Sequence, residues 1–226
     1  MTPGSPPAAR AVELPAGSQW LPGLLVVPPR ATGLVLFAHG SGSSRFSGRN
    51  QAVAGTLQRQ GLATLLFDLL SAEEERRDQQ DRSLRFDIPL LAERVVAAID
   101  WVQSEPPLAA LPIGLFGAST GAAAALIAAA RRPELVWAVV SRGGRPDLAC
   151  DSLAQVRCPT LLLVGGLDLE VLELNTWAAA RLQAPYRLTV VPGAGHLFEQ
   201  PGTLEQVAAA AAGWFSQAFG ERRQRA

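Results

Sequence analysis

Lysine is missing from this sequence: all 20 basic residues are arginine. That excludes a Schiff base, a P-loop lysine and a Ser-Lys dyad. Net charge is missing as well, since 20 acidic residues balance the arginines to a formal charge of zero. Electrostatics therefore gives no support to a nucleic-acid or acidic-membrane partner. No run of about 18 apolar residues occurs without a charge or a turn signal, so no membrane span is expected. The opening MTPGSPPAARAVELP carries Pro and Gly and no apolar run, so no secretory signal is expected either. Cysteine is scarce. Cys150 and Cys158 flank an expected loop, lack CxxC spacing and have no partners for a zinc site. Two reduced thiols in a cytoplasmic protein, with no metal and no cofactor, is the expected reading. Histidine is limited to His39 and His196, which narrows the choice of any catalytic base.

What is present fits one α/β domain over residues 1–226, with loose tails at 1–9 and 220–226. Hydrophobic residues make up 48% of the chain, enough for a large core. Ala11–Leu14 and Trp20–Val27 read as two antiparallel strands around a Pro-Ala-Gly-Ser turn. Continuous apolar runs at Leu34–Ala38, Leu62–Phe67, Ile113–Phe116, Leu135–Val140 and Thr160–Val164 have strand length and suit strands buried on both faces. Tyr186–Val191 is the last strand. Helices are expected over Asn50–Gln60, after Asp87 as a cap, from the Ser119 region to about Arg132, over Val171–Leu182 and from Thr203. Leu91, Val95, Ile99 and Val102 recur at helical spacing as a buried stripe. Thr203-Leu-Glu-Gln206 has a capping-box pattern. The charged stretch Glu73–Arg85 is expected to be a solvated loop or short helix. Strands alternating with helices imply about seven to eight strands in a mostly parallel sheet covered on both sides, with ligands at the carboxyl ends of the strands.

Chemistry concentrates at those ends. Gly117-Ala-Ser-Thr-Gly121 joins a strand to a helix with a serine at its apex, the pattern of a nucleophile elbow. A serine hydroxyl needs a base, and His196 sits in a Gly-Ala-Gly-His loop after the last strand. Asp168, in Gly-Gly-Leu-Asp after the preceding strand, is the expected orienting acid, ahead of Glu170, Glu173 and Asp147. The order Ser119, Asp168, His196 is that of an α/β-hydrolase triad. His39 is expected to brace the loop after its strand. The oxyanion donors are expected to be the backbone amides of Thr120, with its hydroxyl irrelevant, and of Ser41. Arg45, Arg49, Arg142 and Arg145 lie at the same end of the sheet. Arg45 and Arg142 are candidate binders of a substrate anion, the alternative being salt bridges to Asp68, Asp147 or the acidic loop.

With HGSGSSR (39–45), FDLL (67–70), GLFGASTG (114–121), SRGGRPD (141–147), GGLD (165–168) and GAGH (193–196), the chain resembles the α/β-hydrolase superfamily, and within it the dienelactone-hydrolase-like group. The resemblance covers nearly the whole sequence. It implies a Ser119–Asp168–His196 triad and hydrolysis of an ester or related bond. Dienelactone hydrolases use cysteine as nucleophile; serine at 119 points instead to a serine carboxylesterase acting on a small-molecule ester. Relatives of this kind also occur joined to phosphoribosyltransferase domains, of which nothing is expected here. Only about 20 residues separate Val140 from Thr160, too few for a helical cap, so the site should be open and favour short acyl groups. Two other outcomes stay open: acyl transfer to another acceptor, perhydrolysis or lactone opening with the same triad, and a non-catalytic binding module. The sequence leaves the oligomeric state open.

Overall fold

A computed structural model describes the backbone of residues 8–225. The expected N-terminal tail therefore lies almost entirely outside the described residues. Eight strands form one sheet in the order β1-β2-β4-β3-β5-β6-β7-β8. Strands β1 (Arg10–Ala16) and β2 (Gln19–Val26) form an antiparallel hairpin, and β2 runs antiparallel to β4 (Ala63–Phe67). From β4 onward every pairing is parallel, through β3 (Leu34–Ala38), β5 (Ile113–Ala118), β6 (Val136–Arg142), β7 (Thr160–Gly165) and β8 (Tyr186–Val191). Every residue of β3, β4, β5 and β7 is buried. This is why those strands read as unbroken apolar runs rather than alternating ones.

Two apolar layers bury the faces. On one, α3 (Ile88–Ser104), α5 (Thr120–Arg131) and the inner side of α7 (Leu169–Ala179) cover Leu36, Leu65, Leu115 and Leu162. On the other, α1 (Gly48–Arg59) and α8 (Thr203–Arg225) cover Phe37, Phe116 and Leu163. In α3 the stripe Leu91, Val95, Ile99 and Val102 is buried, and Asp87 caps the helix by accepting the Leu90 amide at 3.0 Å. Short helices α4 (Pro106–Ala109) and α6 (Cys150–Leu153) fill connections.

One local expectation is decided between its two alternatives, and two change. The charged stretch after β4 is an ordered helix, α2 (Ala72–Asp81), started by a capping box in which Ser71 accepts the Glu74 amide and Glu74 accepts the Ser71 amide. At α8 no capping box forms from Thr203. Its hydroxyl instead donates to the Gln200 carbonyl at 2.7 Å. Helix α8 also continues to Arg225, through the segment expected as a tail.

Between β6 and β7 the chain makes only a 3-10 turn (Pro146–Ala149) and α6. No cap domain covers the carboxyl ends of the strands among the described residues. No helix among them is long and apolar enough to cross a membrane.

Candidate active site

Strand β5 turns into α5 through Ser119, whose φ of +49° is a conformation side chains rarely adopt. Such strain persists only where the surroundings enforce it. Here they do, because strand and helix nearly touch. A Cβ on Gly117 would lie 2.4 Å from the Ala122 Cα, and one on Gly121 would lie 2.3 Å from the Ala38 carbonyl oxygen. Ser119 is thereby lifted to the end of the sheet, its carbonyl held by the amides of Ala122 (3.0 Å) and Arg145 (3.1 Å).

The loop after β8 brings His196 to the same place. Its Nδ1 lies 2.7 Å from Asp168 Oδ2. Asp168 occupies the N-cap position of α7, yet its side chain makes no capping bond. The carboxylate is committed to the imidazole, which fixes the tautomer with Nε2 free to accept a proton. The Asp168 side chain is mostly buried and the His196 ring partly exposed. Gly143, at φ +51°, passes close to this loop, where a Cβ would meet the His196 carbonyl at 3.0 Å. Ser119 and His196 line one cleft of about 260 Å³, with Gly40, Ser41, Arg49, Arg142 and Leu197. No hydrogen bond joins the Ser119 hydroxyl to His196, a contact that in serine hydrolases commonly tightens in the complex with substrate. A larger cavity of about 670 Å³ lies beside loop 42–47 and contains neither Ser119 nor His196.

His39 is occupied on both ring nitrogens. Nδ1 pairs with the Gly40 carbonyl at 2.9 Å, and Nε2 accepts the Leu69 amide at 3.1 Å. Burial pushes its pKa down, against the opposing pull of the Gly40 carbonyl and of Asp68 and Glu75. It ties the end of β3 to the segment after β4, as the sequence suggests.

Thr120 differs from expectation. Its amide opens helix α5, where the first N–H groups have no intrahelical acceptor and point toward the end of the sheet. Its hydroxyl matters too, because it accepts the Ser41 amide at 3.0 Å. The second candidate oxyanion donor is thus engaged by the residue after the nucleophile and has to leave that hydroxyl to serve an oxyanion. No sequence signal marks this pairing, which spans 79 positions.

The arginines divide. Arg45 is bound by Asp68 through both its amide and its guanidinium, and Arg145 is bound by Asp147 at 2.8 and 2.9 Å. For these two the salt-bridge alternative holds. Arg142 is 7% exposed, and its side chain has no hydrogen bond or ion pair among the described residues. Burial and the nearby Arg49 guanidinium lower its pKa to about 10, so it remains a cation at neutral pH. Cys150 and Cys158 are both free thiols, and burial pushes Cys158 up to about 12, so it is not a nucleophile at neutral pH. No cluster among the described residues could hold a metal ion.

A family model described as an alpha/beta hydrolase domain matches residues 31–213. The crystal structure of a dienelactone hydrolase from Anabaena variabilis superposes with a TM-score of 0.93 at 57% identity, covering 94% of this chain and 98% of that one. A Mycobacterium tuberculosis protein provisionally named a phosphoribosyl transferase is 58% identical over 204 residues. That match takes in 90% of this chain but 45% of the relative, so the chain spans about half the length of the curated relatives it matches. A Pyrococcus furiosus esterase shares the fold at 15% identity, with a TM-score of 0.72 over 93% of this chain and 91% of its own.

Proposed function

The chain belongs to the α/β-hydrolase family, and on that premise we propose that it is a cytoplasmic serine carboxylesterase acting on small or short-acyl esters. The observation that carries this reading is the Asp168–His196 pair at 2.7 Å sharing one cleft with a serine held at positive φ. In the proposed mechanism, His196 Nε2 takes the Ser119 proton as Oγ attacks the ester carbonyl. The negative charge gathers on the carbonyl oxygen, beside the Thr120 amide and the Ser41 amide, which turns to it from the Thr120 hydroxyl. Collapse expels the alkoxide, which takes the proton from His196, and leaves an acyl group on Ser119. Water then repeats the sequence, with His196 taking its proton and returning it to Ser119 as the acid leaves. Asp168 stabilises the imidazolium in both halves.

The uncapped sheet and the cleft of about 260 Å³ support a preference for short acyl groups. Two free thiols suit a reducing compartment. The test is a p-nitrophenyl ester panel from acetate to palmitate, run with the wild type and Ser119→Ala. Acetate and butyrate should turn over fastest, and the alanine variant should fall to background on all of them. Faster turnover of palmitate than butyrate would overturn the short-acyl reading, and wild-type rates in Ser119→Ala would overturn the nucleophile.

A further inference from the structure

Arg142 ends strand β6 inside the cleft that holds Ser119 and His196. Its Nε and Nη1 are enclosed, and neither has a partner. Arg49, from the first turn of α1, lines the same cleft with its own Nε enclosed and unpartnered. The acids that could neutralise this pair are engaged elsewhere or stand off. Asp68 is taken by Arg45, Asp147 by Arg145 and Asp168 by His196. Glu199 reaches only Arg49, at 3.5 Å and largely in solvent. Two arginines thus line one small cleft, close enough for Arg49 to act on the Arg142 charge, and no carboxylate among the described residues pairs with Arg142. A buried unpaired charge is costly, so a fold that keeps one needs a compensating partner. Surface salt bridges do not explain Arg142, because it makes none.

We propose that Arg142 and Arg49 form an anion subsite, and that the ester opened by Ser119 carries a carboxylate or phosphate that pairs with them. This rests on the esterase reading above and names the substrate class for the same cleft. Guanidinium presents a planar fork of N–H donors that matches the oxygens of either anion. The anion and the scissile carbonyl share a cleft of about 260 Å³, so few bonds separate them. A monoester of a short dicarboxylic acid, or a short phosphorylated ester, has this shape; a neutral ester leaves Arg142 unpaired and Arg49 with only its solvent-exposed contact to Glu199.

Binding and turnover test this separately. Turnover is compared for phenyl butyrate and phenyl hydrogen succinate, which differ mainly in a terminal methyl against a carboxylate. We expect kcat/KM at least tenfold higher for the succinate in the wild type, with the ratio falling to between one and two in Arg142→Gln and dropping severalfold in Arg49→Gln. Binding of succinate and of inorganic phosphate to Ser119→Ala, which needs no catalysis, is measured by calorimetry. The tighter of the two identifies the anion, and Arg142→Gln in that background should weaken it at least tenfold. A succinate-to-butyrate ratio of one or less in the wild type overturns the subsite, as does a ratio that both arginine variants leave intact. The wild-type ratio and the rim variant Arg49→Gln decide the matter even if Arg142→Gln does not fold. Failure of Ser119 to react with any ester would refute the esterase reading alone, because the calorimetric arm still reports on the anion.

Discussion

Replacing Gly121 by alanine should damage stability and activity together, while the same replacement at Gly213 should raise stability and leave activity unchanged. At Gly121 the new Cβ would sit 2.3 Å from the Ala38 carbonyl oxygen and 2.4 Å from that of His39. Both are backbone atoms, so no side chain can swing aside. The elbow and the end of β3 must part by about 1 Å to reach ordinary contact. Overpacking of this kind costs about 3 kcal/mol at the upper end of its usual range. For a chain of this length that lowers Tm by about 6–12 °C, at roughly 2–4 °C per kcal/mol. The same shift moves Ser119 relative to His196 and to the Ser41 loop, and a misplacement of about 1 Å costs about 100-fold in rate. At Gly213, exposed on α8, a Cβ meets nothing within 4 Å. Alanine there should add about 1 kcal/mol through helix propensity alone and leave turnover unchanged. Differential scanning fluorimetry and p-nitrophenyl acetate hydrolysis read both effects. A Gly121→Ala protein with wild-type Tm and rate would refute the reasoning that close packing enforces the Ser119 conformation.

Other consequences can be measured with the same preparations. Asp168→Asn keeps the shape but loses the charge that orients His196, so kcat should fall about 10³–10⁴-fold; a loss under tenfold would mean another acid serves. Asp78 is 1% exposed and accepts from Arg85 Nε at 2.5 Å and from the Leu84 and Arg85 amides. Burial alone would raise its pKa, but these bonds together hold it below the usual carboxylate value. Its contribution is therefore fully present above about pH 4, the unfolded value, and is lost as pH falls through the lower folded value. Asp78→Asn should cost about 3 kcal/mol in urea unfolding at pH 7, and less at pH 2–3. An equal cost at both pH values would contradict the linkage.

The central strands and the elbow were legible because their signals are local. A strand buried on both faces must be apolar throughout, and the elbow demands small residues two before and two after its serine. Strand order was not legible, since β4 lies between β2 and β3 through pairings set by distant contacts. For α2 the charges alone left loop and short helix open, and the capping-box pattern Ser71-Ala-Glu-Glu74 is the local signal that decides for the helix. The fate of the arginines was beyond a linear reading. Arg45, Arg142 and Arg145 look alike in sequence, and which of them lacks an acid depends on what the folded chain places beside each. The Thr120 hydroxyl is a similar case, since its donor comes from the loop after the neighbouring strand β3, 79 positions away in sequence.

The central claim is that Ser119 is a nucleophile activated by His196 and Asp168. Labelling with a fluorophosphonate probe, followed by mass-spectrometric mapping of the modified peptide, tests it most directly. The account predicts one adduct, on Ser119, formed rapidly by the wild type, more slowly by Asp168→Asn and not at all by Ser119→Ala. An unlabelled wild type, or an adduct on any other residue, would contradict it.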